Sequence, residues 1–256
     1  MLRIGHKGAD ALVQGNTLES FAAAVEAGVD AIEFDVLRPR GDFDQASDWR
    51  RAPAGPGRAS GPLLVAHDWG DASRRRPLTL EAALDALAEP PFERLRFDLD
   101  LKVAGREDEV IAALRERGLG ERAMTSTMEL ESVVYLRDAA PELDRGWTLP
   151  KVSRDWSRSP WLRPVFLAGS ASLRSRLPSL VRRRAPELGV RAVWIFHPLI
   201  TGRLLESAHS VGVQVIAWTV DDPERIARLR GLGVDGICTN DPRLLAEAQP
   251  GARRAS

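Results

Sequence analysis

The chain has 256 residues, a formal net charge of zero, 44% hydrophobic residues and a single cysteine, Cys238. That length suits one large α/β domain. The balanced charge argues against a nucleic-acid binder held by general electrostatics, and one cysteine excludes an internal disulfide. The N-terminal stretch lacks the apolar core of a signal peptide and no apolar run reaches transmembrane length, so the expectation is a soluble cytoplasmic protein.

Leu2–His6 is a short apolar run leading into His6-Lys7-Gly8, read as a strand entering a loop. Asn16 and Thr17 precede a helical pattern with apolar positions at Leu18, Phe21, Ala22 and Val25, ended by Gly28. Ala31–Leu37 reads as a buried strand that nevertheless carries Glu33 and Asp35. Side chains alternate along a strand, so the two acids share one face, and Ile32, Phe34 and Val36 share the other. Two like charges buried side by side need neutralising, and a divalent cation does that with carboxylate oxygens.

Residues 38–62, rich in Gly, Pro, Ser, Arg and Asp, read as an irregular insertion. Leu63–Ala66 is a short strand ending at His67-Asp68 and, with no helical pattern before it, is expected to pair antiparallel with its predecessor as a hairpin. Helices are expected at 80–87 (capped by Thr79), 107–117, 130–137, 201–211 and from Pro223 to Arg230, and strands at 95–102, 123–126, 145–149, 192–196, 213–219 and 234–238. Eight main strands with helices between most of them predict a (β/α)8 TIM barrel, with an irregular insertion and hairpin after the second strand. A single domain over 1–248 is expected, followed by a disordered tail at 249–256. Residues 152–188 carry Trp156, Trp161, Phe166 and Arg182-Arg183-Arg184. The favoured reading is a long crossover with an amphipathic basic helix packed on the barrel; the other is peripheral contact with anionic membrane lipid.

In such barrels the chemistry lies at the carboxyl ends of the strands, and here those ends are polar. They deliver His6 and Lys7, Glu33 and Asp35, His67 and Asp68, then Asp98, Asp100 and Lys102 on one face, then Lys151, His197 and Trp218. Lysine occurs only at positions 7, 102 and 151, so arginine supplies nearly all of the 36 basic residues. A lysine kept at a strand end is therefore a candidate for a compact point charge that guanidinium does not replace. Glu33, Asp35 and Asp100 can supply oxygens to one divalent ion, Lys7 and Lys102 can hold a phosphate, and His6 and His67 can divide acid and base duties. His209, inside a helix, reads as structural.

Taken together, these residues resemble the glycerophosphodiester phosphodiesterase family of the phospholipase C-like superfamily. The family's His-Arg-Gly appears as His6-Lys7-Gly8 and its Pro-Glu-Asn-Thr as Gln14-Gly15-Asn16-Thr17. Its Glu-x-Asp strand is Glu33-Phe34-Asp35, its His-Asp is His67-Asp68, and its Glu-x-Lys is Asp100-Leu101-Lys102. The closing strands, with Ala217-Trp218-Thr219-Val220 and Gly233-Val234-Asp235-Gly236-Ile237, extend the likeness over nearly the whole chain. The resemblance implies metal-dependent hydrolysis of glycerophosphodiesters to glycerol 3-phosphate and an alcohol. It implies His6 and His67 as the acid–base pair, one Mg²⁺ or Ca²⁺ on Glu33, Asp35 and Asp100, and a small phosphodiester substrate. Lys7, Lys102, Lys151, His197 and Trp218 are the expected phosphate and substrate contacts. Three departures bear on specificity: Lys7 stands for Arg, Gly15 for Glu, and Asp100 for Glu. Lysophospholipase D-like activity on another phosphodiester and a non-catalytic phosphate-binding barrel are the competing expectations.

Overall fold

The computed structural model of the protein describes residues 1–39, 61–151 and 163–246, with only the backbone described at 163–171. The expected irregular insertion within 38–62 falls largely outside the described residues, as do Trp156, Trp161 and the 249–256 tail.

The strands are β1 (Leu2–His6), β2 (Ala31–Leu37), β3 (Leu64–Val65), β4 (Leu78–Thr79), β5 (Arg96–Leu101), β6 (Ala123–Thr127), β7 (Asp144–Leu149), β8 (Ala192–Phe196), β9 (Gln214–Trp218) and β10 (Gly236–Thr239). β1, β2 and β5–β10 pair in parallel, and β1 bonds to both β2 and β10, which closes an eight-stranded ring. The helices are α1 (Leu18–Glu26), α2 (Trp69–Arg74), α3 (Leu80–Ala88), α4 (Glu107–Glu116), α5 (Leu130–Ala139), α6 (Arg163–Leu188), α7 (Gly202–His209) and α8 (Pro223–Leu232). The protein is thus a (β/α)8 TIM barrel.

Helix starts follow local chemistry. Thr17, Thr79, Thr201 and Asp222 each accept a hydrogen bond from the backbone N–H three residues on, which satisfies one of the orphan donors of a first turn. Of the two residues before α1, Thr17 is the cap, and Asn16 bonds to Asp35 instead. β10 begins two residues later than the apolar pattern predicts. α8 ends in a left-handed Gly233, and Val234 packs with the helices before the ladder starts.

On the outer face, Ile32, Phe34 and Val36 of β2 and Phe97, Leu99 and Leu101 of β5 meet Phe21 of α1, Leu80, Leu84 and Leu87 of α3 and Leu114 of α4. Phe34 lies between Phe21 and Phe97, with ring centroids 5.4 and 6.1 Å away. On α6, Leu177, Val181, Ala185 and Leu188 recur at helical spacing and pack on α7, β7 and β8, while Arg182, Arg183 and Arg184 face outward. Over 172–188 this agrees with the packed basic helix expected from the sequence; the rest of the 152–188 crossover lies outside the residues whose side chains are described.

Inside the ring, Ile4, Ala31, Trp194, Ile216 and Cys238 make an apolar floor. Trp194 reaches across because Gly146 has no side chain; a Cβ there would stand 2.8 Å from the indole. Above the floor the inner face turns polar, and the site begins.

The segment after β2 differs in part from expectation. β3 pairs antiparallel with the end of β2, as the missing helix predicts, through Val36–Val65 and Leu37–Leu64. β4 then adds antiparallel to β3, and the short helix α2 follows His67. Neither shows in the apolar pattern, because α2 buries only Ala72 and β4 has two residues.

Phe34→Ala is expected to cost about 3–5 kcal/mol of unfolding free energy, measured by urea denaturation, because it empties the fully buried centre of this outer layer. A loss below about 1 kcal/mol would show that the layer collapses around the gap.

Candidate active site

β2 and β5 run in register, pairing Glu33 with Asp98 and Asp35 with Asp100. Glu33, Asp35 and Asp100 each offer a carboxylate oxygen within 4.8 Å of the others. Glu33 and Asp35 are buried and Asp100 borders the mouth. Hard oxygen donors at this spacing could hold a metal ion.

The ammonium in direct contact with the cluster is that of Lys102. Its ammonium lies 2.6 Å from Asp35 Oδ1 and also bonds Asp100 Oδ2. Asp35 Oδ1 is buried, and among the described residues the Lys102 ammonium is its charge partner. Lys102, expected to hold a phosphate, thus bridges two of the candidate ligands. Asp100 is one methylene shorter than the Glu of the resembling motif, and in this arrangement it still reaches the cluster.

In the sequence Asn16 shows as a helix-start residue and as part of the Gln14-Gly15-Asn16-Thr17 motif, neither of which gives its contact. It sits at φ +61°, a left-handed conformation that Asn tolerates. This turns its amide inward, where Nδ2 donates to Asp35 Oδ2 (2.7 Å) and Oδ1 accepts from the Asp35 backbone N–H (3.1 Å). Lys7, also left-handed at φ +50°, donates its backbone N–H to Glu33 Oε2 (3.1 Å), and its ammonium lies 3.7 Å from Asp10. The loop explains Gly15: a Cβ there would stand 2.5 Å from Asp10 Oδ1, which accepts from the Gly15 N–H. Asp10 fills the space that a side chain at position 15 would need, so a carboxylate stays beside Lys7.

Charge states follow from burial and neighbours. Burial raises Glu33 well above the usual carboxylate range, reinforced by Asp35. Burial would also raise Asp35, but Lys102 and Lys7 outweigh it and hold Asp35 well below that range. Burial would lower Lys102, yet Asp100 and Asp35 keep it firmly protonated. Asp98, one layer down, is raised by burial despite accepting from the Ser126 hydroxyl at 2.6 Å.

His6 is half-buried at the end of β1. Burial and the Lys7 charge lower its pKa, which favours the neutral imidazole. Its Nε2 lies 3.8 Å from Glu33 Oε2. Its Nδ1 lies 2.6 Å from Asn240 Oδ1. His67 is exposed, with Nδ1 3.1 Å from Asp68 Oδ2, and its N–H donates to Asp71. It follows β3, whose antiparallel pairing with Val36 and Leu37 brings this segment beside the end of β2.

The remaining candidates stand farther around the mouth. Trp218, at the end of β9, packs on Phe196 with ring centroids 5.7 Å apart and planes tilted by 52°, and its buried indole N–H has no acceptor among the described residues. His197 is fastened to α8: its Nδ1 and its carbonyl accept from Arg225. Burial and the Arg225 charge lower its pKa to about 4. Lys151 is exposed and pairs with Glu129 at 2.5 Å. His209, read as structural, bonds Asp235 on the outer surface.

A sequence profile of the Glycerophosphoryl diester phosphodiesterase family matches residues 6–39 and 84–244. The chain belongs to that family. The two matched segments contain His6, the three acids and Lys102, and they leave out the hairpin carrying His67. A glycerophosphodiester phosphodiesterase of Caldanaerobacter subterraneus is 27% identical across 95% of this chain and 96% of its own length. A phosphodiesterase of Arabidopsis thaliana is 41% identical, but only over 22% of this chain and 17% of its own length. Solved structures share the fold. An Agrobacterium tumefaciens glycerophosphodiester phosphodiesterase aligns with a TM-score of 0.64 at 20% identity, covering 95% of this chain and 99% of that one. An Oleispira antarctica phosphodiesterase in complex with the product sn-glycerol-3-phosphate aligns at 0.60 and 19% identity, covering 94% and 93%.

Lys102→Met is expected to destabilise this phosphodiesterase by about 3–5 kcal/mol at pH 7–8 in a chelating buffer, because it strands buried carboxylates. Asp35 has a depressed folded pKa, so its stabilising contribution is present above the ordinary carboxylate range and is lost as pH falls through the folded value. The gap between wild type and variant should therefore narrow below about pH 4. Urea unfolding across pH checks this, and a pH-independent gap would contradict it.

Proposed function

We propose that residues 1–248 act as one domain that hydrolyses glycerophosphodiesters to glycerol 3-phosphate and an alcohol in the cytoplasm. The observation that carries this reading is the buried Glu33, Asp35 and Asp100 cluster beside His6 at the barrel rim of a chain in this family. The product bound by the Oleispira protein supports the same substrate class.

The cluster would hold one divalent cation, Mg²⁺ or Ca²⁺, since both favour carboxylate oxygen. When bound, such an ion neutralises the phosphodiester and stabilises the charge that builds on its oxygens. Lys7 and Lys102 supply further positive charge toward the phosphate, and Trp218, His197 and Lys151 line the outer part of the mouth. One imidazole of the His6 and His67 pair takes the proton of the attacking hydroxyl, from water or from the glycerol moiety. The other protonates the leaving oxygen as its bond to phosphorus breaks.

A second reading keeps this chemistry but takes a lysophospholipid. It is favoured by the outward Arg182, Arg183 and Arg184 on α6. No helix among the described residues is long and apolar enough to cross a membrane, so such contact would be peripheral.

Hydrolysis of glycerophosphocholine and glycerophosphoethanolamine is expected with Mg²⁺ or Ca²⁺ and to vanish after thorough chelation. Activity that survives chelation would sink the metal role. His6→Ala and His67→Ala should each slow turnover by about 10²-fold or more, and a near-normal rate removes that residue from the pair. Turnover of lysophosphatidylcholine together with sedimentation on anionic vesicles would favour the second reading; neither result leaves the first.

A further inference from the structure

Two residues with no part in the proposed chemistry converge behind His6. Asp221 follows β9, and Asn240 follows β10. Asp221 Oδ1 accepts from the Asn240 backbone N–H (2.8 Å) and from the Thr239 hydroxyl (2.9 Å), and Oδ2 accepts from Asn240 Nδ2 (2.6 Å). Asn240 Oδ1 meets His6 Nδ1 at 2.6 Å. The Asn240 carbonyl accepts from the Ala11 N–H (3.0 Å), which fixes the loop after β1 to the same point.

The hydrogen-bond logic leaves one arrangement. An ionised carboxylate only accepts, so the Asn240 NH₂ must face Asp221. The amide oxygen therefore faces His6. That oxygen also only accepts, so His6 Nδ1 must carry a proton. In the neutral imidazole the proton-free nitrogen is then Nε2, which points toward Glu33 and the carboxylate cluster.

We propose that Asp221 and Asn240 are positioning residues that hold His6 in the Nδ1–H tautomer, with the Nε2 lone pair turned to the reaction centre. His6 is then ready to accept a proton and acts first as general base, which leaves His67 to protonate the departing alkoxide. The Nδ1–H also keeps a negative group in line behind it as the ring becomes imidazolium, through the amide dipole and the Asp221 charge. This inference rests on the reading that His6 takes part in the chemistry.

The test uses Asp221→Asn, Asn240→Asp and their combination, in the full-length protein. Asp221→Asn frees the Asn240 amide to flip, so that NH₂ can face Nδ1 and select the wrong tautomer. Asn240→Asp sets two carboxylates against each other. The double exchange restores a donor facing an acceptor, with a carboxylate oxygen left for His6 Nδ1–H. Each single variant is expected to lower kcat for glycerophosphocholine by about 10-fold or more with KM changed by less than about threefold, and the double variant should recover most of that loss. Long-range ¹H–¹⁵N correlation spectra should show a protonated Nδ1 and a bare Nε2 on His6 in the wild type, and a changed tautomer in Asp221→Asn.

A wild-type His6 protonated on Nε2, or an Asp221→Asn enzyme with unchanged kcat, overturns the proposal. So does a double variant no better than the singles while its melting temperature matches wild type. Should a single variant fail to fold, the wild-type tautomer and the double variant still decide. A wild type with the stated tautomer whose His6→Gln variant keeps full kcat would instead defeat the acid–base reading.

Discussion

Three carboxyl groups sit in a barrel mouth with an apolar floor, and positive charge is what lets Asp35 stay ionised among them while burial favours the protonated form of Glu33. Lys102 supplies that charge from the position just after β5, the strand of Asp100, and reaches Asp35 on the neighbouring strand. Coulomb attraction and repulsion both strengthen as water is excluded, so removing the ammonium changes the balance by more than any surface pair could. Asn16 and the Lys7 backbone N–H add directed donors to the second strand's acids. The left-handed turns at Lys7 and Asn16, the cap at Thr17 and the missing side chain at Gly15 all serve to bring these donors to bear.

The same two strands carry the scaffold. Outward, Phe34 and Phe97 join the layer that fastens α1, α3 and α4; inward, Glu33, Asp35, Asp98 and Asp100 build the site. Alternation makes both possible at once, since a strand has two faces and each has its own solvent. The apolar face provides the transfer energy that the charged face consumes. A one-residue slip of β2 would therefore ruin packing and chemistry together, and a slip is opposed on both sides by parallel ladders.

Much of this was readable from the chain because period-two patterns are local. Ile32-Glu33-Phe34-Asp35-Val36 announces its own faces, and so does Phe97-Asp98-Leu99-Asp100-Leu101. What stayed hidden depends on backbone torsion or on distance in sequence. Nothing near Asn16 declares φ +61°, so its bond to Asp35 could not be anticipated from a helix-start motif. Asp221 and Asn240 look like ordinary loop residues until barrel closure brings β10 beside β1, 234 residues from His6 to Asn240. Alternation puts Lys102 on the face of Asp98 and Asp100, and the anions it contacts are the protein's own Asp35 and Asp100. α2 escaped notice because six residues with one buried side chain leave no period to read.

The hairpin has a consequence for how such a protein can change. β3 and β4 hang on the end of β2 outside the closed ring, so the segment between Leu37 and Leu63 can lengthen without altering any barrel register. Loop-closure cost grows only logarithmically, by about 0.6 kcal/mol for each doubling. Sequence drift can therefore accumulate at one edge of the mouth while the carboxylates stay where they are. The fold thus separates a part that tolerates novelty from a part that does not, and His67 stands on the border between them.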